Sequence, residues 1–184
     1  MNIDKLIENI VGQIKEAQLK LGFARESIRL YYPVESLCRL LQVECRSDRE
    51  MLEMLEKEAQ LVHTELGPLR FSVCKGRVEV CVSQEGVDYV HEQIPDPPFL
   101  KGLIQLFRDS HELSIDEIRR YFAGFSDHYI CERMRPDEGF DYVLYFPDQE
   151  PDAWYYCIRV EMGHTIYHRF SADDYRYGVA EHSE

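Results

Sequence analysis

Three stretches between residues 28 and 94 decide the fold: IRLYYPVESLCRLL (28–41), SDREMLEMLEKEAQLVHTEL (47–66) and LRFSVCKGRVEVCVSQEG (69–86). The first begins with the alternation of a β-strand, and Pro33 then suits the first turn of a helix. The second has apolar residues at helical spacing behind a capping residue, Ser47 or Asp48. The third has two alternating arms on either side of Lys75-Gly76, which predicts a hairpin followed by another helix.

A helix is also predicted ahead of this segment. Apolar residues recur at intervals of three and four over residues 3–21, and Gly22 follows where a left-handed C-terminal cap is favoured. The resulting order is helix, strand, helix, helix, hairpin, helix, with a Ser-Gln-Glu-Gly start to the last helix at residues 83–86. This order resembles the winged-helix superfamily over about half of the chain. An unrelated α+β core with the same element order is the alternative.

Charge argues against the DNA-binding role that this resemblance usually implies. Residues 48–65, which would form the DNA-facing helix, contain six acidic and two basic side chains. The whole chain has 34 acidic and 21 basic residues, for a net charge of −13. Because nucleic acids and anionic membranes attract positive charge, we expect neither as a partner.

The second half begins after Asp96-Pro97-Pro98, where paired prolines are expected to exclude helix. This boundary divides the chain into predicted domains 1–95 and 96–184. Helices are predicted over residues 99–107 and after a capping box at 114–117. Strands are then predicted at 129–134, 140–146, 154–162 and 165–170. The expected fold class is α+β, with a winged-helix-like first half followed by helices and a C-terminal antiparallel four-stranded sheet.

Several features point to a cytoplasmic protein without a cofactor. The N-terminus lacks a secretory signal pattern, and no apolar run approaches the length of a membrane span. The six cysteines lie at scattered spacings with no Cys-x-x-Cys pair, which favours reduced, structural thiols. No P-loop, dinucleotide-binding glycine pattern or Gly-x-Ser-x-Gly elbow is present.

The chain also resembles an uncharacterised family of bacterial cytosolic proteins. The segments that carry this resemblance are IRLYYP (28–33) and IYHRFSADDY (166–175). The resemblance implies a bacterial cytosolic origin, and it assigns no activity or functional residue.

The best chemical candidate is one face of the predicted hairpin around Gly163. Alternation puts four side chains of the first strand on one face, and parity adds two histidines of the second strand; the set is Tyr155, Cys157, Arg159, Glu161, His164 and His168. Cys157 as a thiolate beside His168, with Arg159 holding an anion, has the components of nucleophilic catalysis. The alternative is a solvated face on which Arg159 and Glu161 pair across strands.

No catalytic residue and no metal ligand is assigned from these patterns. His164 and His168 lie four positions apart on a strand, roughly 13 Å, which is too far for one metal ion. The six residues are therefore candidates for binding a small ligand only.

The functional expectation is a non-enzymatic interaction or regulatory module that binds a protein partner or a second copy of itself. Two alternatives stay open. The first is a small-ligand-binding protein or enzyme that uses the face with Cys157 and His168. The second is a DNA-binding transcription regulator, for which Arg70, Lys75 and Arg77 on or beside the first hairpin are the available basic residues.

Overall fold

The computed structural model describes residues 2–60, 64–110, 112–135 and 139–176. The chain is divided into two compact units, Met1–Asp96 and Pro97–Glu184. Each unit combines helices with one antiparallel sheet, so the predicted α+β class is confirmed.

The first unit follows the predicted element order. Its elements are α1 (Ile3–Leu21), β1 (Ile28–Pro33), α2 (Val34–Leu41), α3 (Asp48–Ala59), β2 (Arg70–Cys74), β3 (Arg77–Val82) and α4 (Gln84–Gln93). The strands form an antiparallel sheet in the order β1-β3-β2, so β3 is central. The alternating side chains Val78, Val80 and Val82 of β3 are fully buried, because they face the helices that cover the sheet.

Two details of the predicted helices were wrong. The helix expected over residues 48–66 ends at Ala59, and a turn closed by a hydrogen bond from Gly67 N–H to the Thr64 carbonyl follows. Residues 61–63, which include Val62 of the predicted apolar stripe, lie outside the described residues. Gly22 has a positive φ of 88°, but its ψ of 165° is extended. The residue therefore does not form the left-handed cap that was predicted.

A polar network inside the first unit connects α1 with β1. The Tyr32 hydroxyl donates to Asn9 Oδ1 at 2.9 Å, and Gln13 Nε2 donates to the same oxygen at 2.6 Å. Asn9 and Tyr32 are both buried, so these hydrogen bonds replace the water that the two side chains lose on folding. The network therefore fixes the helix against one edge strand of the sheet.

The second unit contains the predicted C-terminal sheet. Its elements are α5 (Pro98–Asp109), α6 (Ile115–Ala123), β4 (Ile130–Arg133), β5 (Tyr142–Tyr145), β6 (Tyr155–Glu161), β7 (His164–Phe170) and the short α7 (Ala172–Asp174). The four strands form an antiparallel meander in the order β4-β5-β6-β7, as predicted. The expected capping box is present, with reciprocal hydrogen bonds between Ser114 and Glu117.

The prediction that the paired prolines exclude helix was wrong. Pro98 is the first residue of α5, a position at which the missing N–H has no helical partner to lose. The next residue, Phe99, is buried among aromatic rings from α6 and the sheet. Its ring centroid lies 4.9 Å from that of Phe122, 5.0 Å from that of Phe146 and 5.6 Å from that of Tyr156. The second core is thus aromatic, whereas the first is aliphatic.

Gly86 provides a test of the packing in the first unit. A Cβ atom at this position would lie 2.3 Å from the Leu66 carbonyl oxygen and 2.8 Å from Val82 Cγ1. We therefore expect Gly86→Ala to lower the free energy of unfolding by about 1–3 kcal/mol, as overpacking does. Urea denaturation measures the change.

The matched control is Gly124→Ala. Gly124 has an ordinary φ of −68°, and the nearest atom to its added Cβ is 3.3 Å away. We expect this substitution to change stability by less than about 1 kcal/mol. Equal losses of stability in the two variants would contradict the explanation that Gly86 is needed because the Leu66 backbone lies so close to it.

Candidate functional site

The register of β6 and β7 brings the predicted site residues onto one face. Cys157 lies opposite His168, and Glu161 lies opposite His164, while Arg159 faces Ile166. The hairpin turn is Met162-Gly163, one of the two alternatives that the parity argument covered. The shared face is therefore confirmed as strand geometry, while ligand binding by these residues stays a prediction.

Burial divides this face into two halves. Tyr155 and Cys157 are buried in a small core cluster with Met134 and Val143, against which Phe140, Phe170 and Tyr175 pack. The exposed half consists of Arg159, Glu161, His164 and His168. The face is divided in this way because Ala172 of α7 and neighbouring loop residues pack over the half next to Cys157.

The buried half does not support nucleophilic catalysis by Cys157. Its side chain is fully buried among apolar and aromatic groups, an environment in which a thiol is inert toward substrates in solution. The His168 ring lies 5.3 Å from the Phe140 ring and 6.5 Å from the Phe170 ring, measured between centroids. His168 thus sits beside aromatic rings at the edge of this cluster, opposite a cysteine that solvent does not reach.

The exposed half contains an ion pair along one strand. Arg159 Nη2 lies 3.5 Å from Glu161 Oε1, and both side chains are about half exposed. The predicted pairing across strands was wrong, since the two residues are two positions apart on β6. An exposed pair of this kind contributes little to stability or to anion binding.

Apolar side chains are exposed at the end of the same hairpin. Val160 is 54% exposed, Met162 is 94% exposed and Ile166 is 37% exposed. We call these three residues the hairpin tip. Met162 and Gly163 both have positive φ, 52° and 81°, as the two central residues of a type I′ turn do. The tip combines a tight turn with large apolar side chains in solvent.

A groove lies beside the hairpin tip, on the face opposite Cys157. Its volume is about 490 Å³. Apolar lining residues are Leu113, Ile115, Ile158 and Val160. Thr165 Oγ1 donates to the Leu113 carbonyl at 2.7 Å, which attaches β7 to the loop before α6 and holds one wall of the groove. Sequence reasoning missed this groove, because Leu113 and Ile115 are distant in sequence from the hairpin.

The first unit has a larger groove at the connection between α2 and α3. It measures about 1050 Å³, and its lining includes Cys38, Arg39, Cys45, Arg46 and four acidic residues, Glu35, Glu44, Asp48 and Glu50. The Sγ atoms of Cys38 and Cys45 lie 2.8 Å apart. The two cysteines flank the predicted junction of two helices, which is the sequence signal that could have distinguished them from the other four.

The described surface of α3 is acidic. The helix contains Asp48, Glu50, Glu53, Glu56 and Glu58 against Arg49 and Lys57. The basic residues of the first hairpin are exposed but dispersed. Arg77 lies opposite Cys74 beside the turn, whereas Arg70 lies opposite Cys81 at the far end of the strand pair. Phosphate binding therefore has no concentrated positive surface on these elements.

Among the residues with described positions, no three His, Cys, Asp or Glu side chains are grouped so that they could hold a metal ion. The described helices also include none that is both long and apolar enough to cross a membrane.

A family model described as "Domain of unknown function, E. rectale Gene description (DUF3877)" matches residues 3–178. The chain belongs to this family. The match covers nearly the whole chain, so the resemblance to an uncharacterised family is confirmed. No curated protein and no solved structure matches the chain, and the likeness to winged helices stays a prediction.

The burial of Cys157 in this DUF3877 protein gives a direct test of the catalytic alternative. During brief native-state treatment with iodoacetamide, we expect Cys157 to be alkylated at least about tenfold more slowly than half-buried Cys74 and Cys81. Peptide mass spectrometry measures each site, and a sample unfolded in guanidinium controls for intrinsic reactivity. Rapid native labelling of Cys157 would restore it as a candidate nucleophile.

Proposed function

We propose that the protein is a non-enzymatic interaction module and that its first partner is a second copy of the same chain. The binding element is Val160 and Met162 of the hairpin tip together with the adjacent groove, whereas Ile166 lies on the other face of the hairpin. The single observation that carries this proposal is Met162, which is 94% exposed in a strained turn position.

The position of Met162 is costly for the fold. The left-handed conformation costs residues other than glycine roughly 1–2 kcal/mol of conformational free energy. Type I′ turns favour Asn, Asp or Gly at the first central position. Methionine has none of the local hydrogen bonds that help Asn or Asp there. The exposed Met162 side chain also buries almost no surface in its own unit. A flexible, polarizable methionine in solvent is instead suited to contact a partner.

The groove supports a second copy as that partner. Met162 projects from the hairpin, and the groove beside it presents half-buried Ile115 and exposed Val160. When two copies are related by a twofold axis, the projecting side chain of each can enter the groove of the other. Such a reciprocal contact would bury two methionines and need no additional partner.

The overall charge predicts how this association depends on salt. Each copy has a net charge of −13, so two copies repel each other. The hairpin tip is apolar, and screening of the repulsion should therefore strengthen association. An interface built on ion pairs would weaken with salt, which gives a simple way to distinguish the two.

The alternatives have less support. Burial of Cys157 removes the proposed nucleophile of an enzyme, and the exposed Arg159, Glu161, His164 and His168 lie on the face away from the groove. A DNA-binding role would need a positive surface where α3 is acidic. The scattered spacing of the six cysteines, which favours reduced thiols, supports a cytoplasmic location for the module.

The central prediction concerns Met162→Asn. Asparagine followed by Gly163 is a favoured type I′ pair, so the hairpin should become more stable by about 1 kcal/mol. Loss of the methionine should weaken self-association by about tenfold or more, because burial of a Met side chain contributes roughly 1.5–3 kcal/mol. Sedimentation velocity over a range of concentrations measures association, and urea denaturation measures stability.

Lys75→Asn is the matched control. Lys75 occupies the same turn position in the β2–β3 hairpin, with the same φ of 52° followed by a glycine. We expect a similar gain in stability and no change in self-association. A wild-type protein that stays monomeric at all concentrations, or equal effects of the two substitutions on association, would contradict the proposal.

A separate prediction concerns DNA. At a physiological ionic strength of about 0.15 M, we expect no saturable binding to mixed duplexes below micromolar concentration. Attraction between basic side chains and DNA phosphates supplies most nonspecific affinity, and α3 is acidic. Fluorescence anisotropy provides the measurement. Submicromolar binding that is lost when Arg70, Lys75 and Arg77 are changed to Ala would instead favour the transcription regulator.

A further inference from the structure

Cys38 and Cys45 form a close pair of thiols in the first unit. Cys38 is on α2, and Cys45 is in the connection that leads to α3. Their Sγ atoms are 2.8 Å apart, and both residues are half-buried in the wall of the groove. A bonded S–S distance is about 2.05 Å, so the sulfurs need to approach by less than about 1 Å to form a disulfide.

The backbone holds the two cysteines in this arrangement. Gln42 ends α2 in the left-handed conformation, with φ 56° and ψ 48°, and the Val43 N–H then donates to the Cys38 carbonyl at 3.0 Å. Ser47 caps α3 through a hydrogen bond from the Glu50 N–H. The connection thus folds back over the end of α2 and immediately starts the next helix, which brings Cys45 beside Cys38.

We propose that Cys38 and Cys45 form a dithiol site that a hydroperoxide oxidises to an intramolecular disulfide. In the first step, the Cys38 thiolate attacks one oxygen of the peroxide, the O–O bond breaks, and Cys38 becomes a sulfenic acid. With hydrogen peroxide the leaving hydroxide takes a proton and forms water. In the second step, Cys45 Sγ attacks the Cys38 sulfur, the S–O bond breaks, and the leaving hydroxide takes the Cys45 proton and departs as a second water. Two thiols lose two electrons, and the peroxide gains them.

The surroundings of Cys45 assign this order of attack. Burial raises the pKa of the Cys45 thiol to about 12, and its hydrogen bond and electrostatic interaction with Cys38 add to the shift. Cys45 therefore keeps its proton near neutral pH, and only thiolates react readily with peroxide. Once Cys38 is a neutral sulfenic acid, its charge no longer raises the pKa of Cys45. The Cys45 thiol then loses its proton more readily and can attack.

The groove favours an uncharged oxidant. Four acidic residues and two arginines line it, so the local charge is net negative and repels anions. Hydrogen peroxide is small and neutral, and it reaches half-buried sulfurs without this penalty. The product would tie α2 to the residues just before the N-cap of α3.

The test uses the full wild-type chain. After exposure to hydrogen peroxide, remaining thiols are alkylated and peptides are mapped by mass spectrometry without reduction. We expect a Cys38–Cys45 crosslink whose rate is independent of protein concentration, while fully buried Cys157 stays reduced. The oxidised protein should also melt several degrees higher, because the bond restrains the unfolded chain.

Two conservative variants test the order of attack. In Cys45→Ser, the Cys38 sulfenic acid should persist and be trapped by dimedone. In Cys38→Ser, dimedone labelling of Cys45 should be lower, since burial of the Cys45 thiol does not depend on Cys38 and still raises its pKa. Circular dichroism establishes that both variants fold.

Three results would overturn the proposal. The first is a wild-type protein in which Cys38 and Cys45 stay reduced or become over-oxidised without a crosslink. The second is a crosslink between other cysteines. The third is equal dimedone labelling of the remaining thiol in the two single variants.

Discussion

Burial of strand β6 on both faces is the constraint on which the candidate site depends. Between Tyr155 and Ile158 every side chain is buried, and from Arg159 onward the strand is exposed. Tyr156 packs against Phe99 and Phe122, while Cys157 on the other face belongs to a separate cluster. Because two-sided burial excludes solvent, a cysteine in the first half is structural, and only the second half of the strand is available for binding.

The two hairpins show how the same backbone can serve different purposes. Lys75-Gly76 and Met162-Gly163 both form two-residue turns with positive φ at both positions. In each turn glycine satisfies the second position, and a residue with a β-carbon occupies the strained first position. The exposed Lys75 side chain places its ammonium group in solvent. Methionine exposes apolar surface instead, and the energetic cost of the turn is then not offset within the unit.

Periodic patterns predicted most of the fold, because they depend on local geometry. Alternation fixed the shared face of Cys157 and His168, and the Ser114 capping box needed only neighbouring residues. Features that depend on distant residues were not predictable in this way. Cys157 became buried through Phe140 and Tyr175, and the Cys38–Cys45 pair depends on a left-handed Gln42, a residue type that does not signal this conformation.

The cysteines differ in whether solvent and a second sulfur can reach them. Cys157 is adjacent to a histidine in the register, yet its sulfur is enclosed, whereas Cys45 contacts Cys38 at the wall of an open groove. Formation of a disulfide requires access for the oxidant and a second sulfur within reach, and strand parity supplies neither. Helix α3 begins at Asp48, three residues after Cys45. The proposed disulfide would therefore restrain the start of this helix.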